Sequence, residues 1–122
     1  MTKGPTKKQE KKWIAQNIKN YSYTLRINCY CPPERNGPNL IKVIDDKIVS
    51  VNGQPYNPNL TGTLPAVSQL FDIIQTKLSQ RPFQQSIEYH PILGYPTNVY
   101  FDMDDRIADE EVGYIIENLI KE

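Results

Sequence analysis

The sequence predicts an α+β protein, with an antiparallel sheet of five to six strands, two helices on one face and the order α-β-β-β-α-β-β-(β). Three observations predict it. Residues 21–31 alternate inward and outward side chains without a break, and residues 67–78 repeat apolar side chains at helical spacing. Pairs of turn-forming residues divide much of the remainder into runs of strand length. At 122 residues the chain is the size of one domain with one core. Residues 7–122 are expected to form that domain behind a flexible lead at residues 1–6.

In chain order, Trp13, Ile14, Asn17, Ile18 and Tyr21 predict an amphipathic helix over residues 7–19, ended by Asn20. From there Tyr21, Tyr23, Leu25, Ile27, Cys29 and Cys31 point to one side of a long half-buried strand. Ser22, Thr24, Arg26, Asn28 and Tyr30 point to the other. Pro32-Pro33 stops the strand, because proline donates no ladder hydrogen bond. A loop over 32–39 leads to strands at 40–45 and 47–52, joined by a tight turn at Asp45-Asp46 and closed by Asn52-Gly53.

Residues 53–63, rich in proline, asparagine and glycine, read as loop. Thr63 is placed to cap a helix from Leu64-Pro65 onward, whose buried stripe is Val67, Leu70, Phe71, Ile74 and Leu78. Arg81-Pro82 ends it. Strand 86–90 turns inward Ile87 and Tyr89, and strand 97–103 turns inward Val99, Phe101 and Met103. Between them Gly94-Tyr95-Pro96 reads as a shaped turn, glycine for an unusual φ and proline to fix the next, with Tyr95 as a lid. Residues 111–119 fit both periods: Val112, Ile115, Ile116, Leu119 and Ile120 a helix, Val112, Tyr114 and Ile116 a strand.

Charge and composition exclude some functions. Basic and acidic side chains balance at 14 each, which argues against nucleic acid or an anionic membrane as partner. The balance is uneven along the chain, with Lys3, Lys7, Lys8, Lys11 and Lys12 near the start and eight acids against Arg106 and Lys121 in residues 102–122. No run approaches the roughly 20 apolar residues of a membrane span, and no apolar leader follows Met1. No nucleotide-binding, hydrolase or zinc-protease motif occurs, so no cofactor is expected.

Three constellations remain. Cys29 and Cys31 share a strand face, where they serve as small core side chains, a structural disulfide, or a redox or metal site. A bridge within a regular strand would distort it, since same-face neighbours sit near the upper limit of disulfide spacing. A symmetric hairpin pairing Tyr89 with Val99 and Ile87 with Phe101 would set His90 beside Asn98, Glu88 beside Tyr100 and Ser86 beside Asp102. That face resembles an acid/base set, although a solvent face has this composition by default. The acidic run Asp102 to Arg106 lacks the glycine an EF-hand loop needs and reads as a solvated turn. Asn20-Tyr21-Ser22 and Asn59-Leu60-Thr61 fit the glycosylation pattern, which matters only in a eukaryotic secretory pathway.

Asn20-Tyr21-x-Tyr23-x-Leu25-x-x-x-Cys29-x-Cys31 resembles the opening of an uncharacterised bacterial domain-of-unknown-function family, DUF6174. So does Tyr89-His90-Pro91-x-x-Gly94-Tyr95-Pro96-Thr97-x-Val99-x-x-Asp102, followed by Asp109-Glu110-Glu111, with Leu70-Phe71 between. The resemblance covers about residues 13–119. It implies a small exported or lipid-anchored domain with no established activity, and it favours a strand over 111–118. His90 stands where the family more often has aspartate, so it implies no histidine mechanism. Export is favoured by the resemblance, whereas a native start at Met1 would place the chain in the cytoplasm.

The sequence thus favours a non-enzymatic binding module for a protein or small ligand. Its exposed sheet face would carry Arg26, Asn28, Tyr30, Glu88, His90, Tyr95, Tyr100 and Asp102. The alternative is a thiol-dependent redox or metal-binding protein centred on Cys29 and Cys31.

Overall fold

A computed structural model describes residues 6–104, 106 and 111–122. Helix α1 (Thr6–Ala15) precedes strand β1 (Tyr21–Asn28), a short helix α2 (Pro33–Asn36), and strands β2 (Asn39–Ile44), β3 (Lys47–Val51) and β4 (Gln54–Pro55). A second short helix, α3 (Pro58–Thr61), leads to α4 (Val67–Ser79), and β5 (Gln84–Tyr89), β6 (Pro96–Asp102) and β7 (Glu111–Lys121) complete the chain. The seven strands form one antiparallel sheet in the order β4-β3-β2-β1-β7-β6-β5. The α+β class stands, and among the described residues the sheet has seven strands where five to six were expected.

One added strand is β4. Asp45 and Asp46 both take positive φ (53° and 63°), as do Asn52 and Gly53 (54° and 80°). Those are the conformations of a two-residue hairpin turn whose twist matches the strands it joins. Asn52-Gly53 therefore begins a hairpin into β4 instead of ending the sheet. Pro55 is tolerated there because β4 is an edge.

The other is β7, which settles residues 111–119 as strand. Val112, Tyr114 and Ile116 pair with Phe101, Val99 and Leu25 respectively on the core side. Between Thr24↔Glu117 and Ser22↔Ile120 the last strand carries one extra residue, and Asn118 takes φ 55°. This bulge moves the alternation by one position, so Leu119 packs against the core and Ile120 faces solvent. The shift in phase is what imitated a helical period in the sequence.

Helix α1 is shorter than the expected 7–19. Asn17 enters the left-handed region, so the buried side is Gln9 and Trp13, while Ile14 is 65% exposed. Helix α4 begins at Val67, not at Leu64 behind a Thr63 cap. Gln69 Oε1 accepts from the Ala66 N–H, and the Val67 N–H donates to the Tyr21 hydroxyl at 2.9 Å. The Tyr23 hydroxyl donates to the Pro65 carbonyl. Two inward tyrosines of β1 thus satisfy backbone groups at a buried helix start that its own side chains leave open.

Both long helices cover one face of the sheet. The core between them joins Tyr21, Tyr23, Leu25 and Ile27 of β1 to Leu70, Phe71 and Ile74 of α4, all at most 1% exposed. Trp13 packs edge-on against Tyr21 and Tyr95, with ring centres 5.4 and 5.9 Å apart, and Phe71 stacks on Tyr89. No helix among the described residues is long and apolar enough to cross a membrane.

Burial raises the phenol pKa of Tyr21, Tyr23, Tyr89, Tyr95 and Tyr114; a backbone donor at Tyr21 and the Arg35 guanidinium at Tyr114 pull only part of the way back. A raised folded-state value means that stability is fully present below the unfolded phenol pKa of about 10 and is lost as pH rises above it. We predict a flat denaturant midpoint through neutral pH and a steep fall above about pH 10. Phenolate absorbance should lag behind that of the denatured chain. A midpoint unchanged well above that pH would contradict the buried-tyrosine core.

Candidate functional site

The outer face of the sheet, opposite α1 and α4, is built in rows by strand register. One row runs Glu88, Asn98, Ile115, Arg26; the next runs Ser86, Tyr100, Gly113, Asn28; a third runs Gln84, Asp102, Glu111. Of the sequence-predicted residues, Arg26, Asn28, Glu88 and Tyr100 therefore share this face; Asp102 belongs to the same register but is only 6% exposed, so it is not part of the exposed surface that the alternation predicted. Gly113 is buried, and the Asn28 side chain lies against it, 3.5 Å from where a Cβ would stand. Arg26 Nε meets Glu117 Oε1 at 3.2 Å, and Lys42 Nζ meets Glu122 Oε1 at 3.7 Å, both exposed. Such pairs contribute little to stability. The Tyr100 hydroxyl donates to Glu111 Oε1 at 3.1 Å; desolvation, the accepting carboxylate and the charge of Asp102 raise its pKa.

The hairpin register differs from the symmetric one. Ile87 pairs with Val99, Glu88 with Asn98, Ser86 with Tyr100 and Gln84 with Asp102, with an irregularity between Glu88 and Tyr89. The tight turn is the reason. The His90 N–H donates to the Tyr95 carbonyl at 2.8 Å, and the Gly94 N–H donates to the His90 carbonyl at 3.0 Å, which takes His90 out of the strand. Its Nδ1 accepts from the Ile92 and Leu93 N–H groups at 3.2 and 2.9 Å, and its ring stacks on Tyr95. His90 is a turn residue and not a neighbour of Asn98. That Nδ1 is spent on backbone donors leaves the ring poorly placed for acid/base work.

Tyr95 is buried between Trp13 and His90, as a lid and not as part of an exposed surface. Gly94 takes φ 85°, and a side chain there would meet the Gln9 carbonyl at 2.7 Å, so the glycine serves both the turn and the approach of α1. In the acidic run, Asp102 Oδ1 accepts from the Asp104 N–H and Asp104 pairs with Arg106, which holds the Asp104 carboxyl below its usual range. Asp105, and Asp109 and Glu110 of the family-like motif, lie outside the described residues.

At one end of the outer face the chain leaves β1 after Asn28, three residues earlier than the alternation suggested. Cys29 and Cys31 are joined in a disulfide with Cα atoms 5.3 Å apart. That separation is well inside the disulfide range and shorter than a regular strand provides between same-face neighbours, so the bridge and the strand's end belong together. Both cysteines are half-buried, and Tyr30 at the apex is 81% exposed, beyond the ladder. The Asn36 amide of α2 donates to the Ile27 carbonyl at 2.7 Å and to Cys31 Sγ at 3.1 Å, with Cys29 Sγ farther at 3.9 Å. Beside the bridge lies an open hollow lined by Asn28, Cys29, Tyr30 and Glu111.

Joined to each other, the sulfurs offer no thiolate to a metal, and among the described residues no group of three or more ligating side chains is placed to hold one. Asn36, Glu111 and Gly113 are the residues that sequence reasoning missed. Asn36 lay in what read as loop. Glu111 and Gly113 could be placed only once the last segment was known to be a strand.

No curated protein and no solved structure matches the chain. A family model described as "Family of unknown function (DUF6174)" matches residues 5–121, which include both cysteines and the Gly94-Tyr95-Pro96-Thr97 turn, and the chain belongs to that family.

Proposed function

We propose that the chain is a non-enzymatic binding module whose recognition surface is the outer face of the sheet. The observation that carries this reading is the strand register, which gathers Arg26, Asn28, Glu88 and Tyr100 on a face that neither long helix covers. Around them Leu40, Ile44 and Ile120 stand 54%, 44% and 60% exposed. A rigid surface offering tyrosine, arginine, both charge signs and scattered apolar side chains suits a folded protein and not a polyanion such as nucleic acid. Tyr30, exposed beyond the strand end, extends the same surface.

A photo-crosslinking residue at Thr24 or Ser86, in cells of the natural host, should yield an adduct of one defined mass, and the same residue at Asp72 on α4 should not. Alanine at Tyr30 and Tyr100 should leave the far-ultraviolet spectrum intact and weaken the complex by about 2 kcal/mol, the usual scale for losing an interface aromatic. Equal adducts from Asp72, or none from the sheet face, would overturn the reading.

A second reading, thiol–disulfide chemistry at Cys29 and Cys31, is favoured by one specific observation. A bridge closing so short a loop gains only about 1.5 kcal/mol of chain entropy, roughly half the value for a fifteen-residue loop. Stability is thus a weak reason for a half-exposed disulfide to stand at this corner. The folded protein should release two titratable thiols under mild reductant with its near-ultraviolet dichroism largely kept. If the bridge opens only in denaturant, this reading fails.

A further inference from the structure

The corner around the disulfide is not symmetric about its two sulfurs. The Asn36 amide, fixed by the Ile27 carbonyl, lies 3.1 Å from Cys31 Sγ and 3.9 Å from Cys29 Sγ. The open hollow is lined by Cys29 and not by Cys31. In thiol–disulfide exchange the attacking thiolate needs access to one sulfur, while the other departs as a thiolate and gains from a hydrogen-bond donor. Access and the donor thus select different sulfurs, and together they define a direction.

We propose that the Cys29–Cys31 bridge is a directional exchange site: a thiolate enters the hollow and attacks Cys29 Sγ, and Cys31 leaves against the Asn36 amide. This rests on the second reading above and adds its direction and its substrate class. The bond between the incoming sulfur and Cys29 Sγ forms as the Cys29–Cys31 bond breaks, and the Cys31 thiolate then takes a proton from water. With a dithiol substrate, its second thiolate attacks its own sulfur in the mixed disulfide and releases Cys29, which is protonated in turn. The substrate is oxidised to a disulfide by two electrons, and the cysteine pair is reduced by the same two electrons and two protons.

The hollow also sets the charge of the substrate. Among the described residues Glu111, its carboxylate held by the Tyr100 hydroxyl, is the one charged side chain that lines it, and Arg26 on the same face is paired with Glu117. An approaching thiolate is already anionic, so a carrier that adds negative charge is repelled and one that adds positive charge is steered in. The matching class is a dithiol on a neutral or basic peptide or protein segment.

The test uses the full oxidised chain and two small thiols of similar length and opposite charge, cysteamine and 3-mercaptopropionate. The mixed disulfide is trapped with N-ethylmaleimide and the modified positions are mapped by peptide mass spectrometry. The expected map has the probe on Cys29 and the maleimide on Cys31. With rates expressed per thiolate present, because the two thiols differ in acidity, cysteamine should react several-fold faster than 3-mercaptopropionate at low salt, and E111Q should narrow that ratio. N36A should slow the first step about tenfold, as loss of a hydrogen bond to a charged group does. N36D, which keeps the shape of the side chain but removes the donor, should slow it too. Probe on Cys31, or a map divided evenly between the two positions, would overturn the direction while leaving a reactive bridge. Unchanged rates in N36D or an unchanged charge ratio in E111Q would overturn the roles given to those residues. Failure of both thiols to open the bridge in the folded chain would overturn the second reading itself.

Discussion

The structure depends on the pairing of β1 with β7. Every other strand contact joins neighbours in sequence through a turn or a short connection, with β1–β2, β2–β3 and β3–β4 on one side and β5–β6 and β6–β7 on the other. Among the described residues only the β1–β7 pairing joins the two sides of the sheet, and it does so across nearly the whole length of the chain. The inward side chains at this seam, Leu25 and Ile27 against Tyr114 and Ile116, lie in the middle of the core. Removing the seam would leave two small sheets, each with an unpaired edge and half a core.

The same seam assembles the functional surfaces. Arg26 and Asn28 meet Ile115 and Gly113 across it, and through β7 they reach Asn98 and Tyr100 of β6. Glu111, at the start of β7, is brought to the hollow beside Cys29. The inward side of β1 sets the start of α4 through the hydroxyls of Tyr21 and Tyr23. One strand thus carries helix docking on one face, recognition residues on the other, and the disulfide just past its end. Changes on β1 should accordingly couple properties that look unrelated in the sequence.

Much of this was legible in residue order, because the signals were periods of two and of 3.6 within uninterrupted segments. The inward set of β1, the stripe of α4 and the Asp45-Asp46 turn needed nothing beyond neighbouring residues. What failed was where a backbone irregularity changes the phase. The bulge at Asn118 disguised β7, and the His90–Tyr95 turn slid the β5–β6 register and removed His90 from the outer face. The composition of residues 53–63 hid β4 behind an Asn-Gly pair that was itself a hairpin signal. The outer-face residues of β1, β5 and β6 were identifiable from alternation alone. Their neighbours Gly113 and Glu111, and the Asn36 donor, were not, since those contacts form only between segments distant in sequence or through a short helix with no periodic signature.

Native-state hydrogen exchange with residue resolution measures the seam directly. If β1 and β7 form one cooperative unit, the amides of Leu25, Ile27, Tyr114 and Ile116 should exchange only through global unfolding, with the same free energy and the same denaturant dependence. The paired amides of β2 and β6 should follow them. Exchange of β5, β6 and β7 through a lower-energy opening, while β1, β2 and β3 stay protected, would show that the N-terminal strands stand without their last partner and would contradict the account.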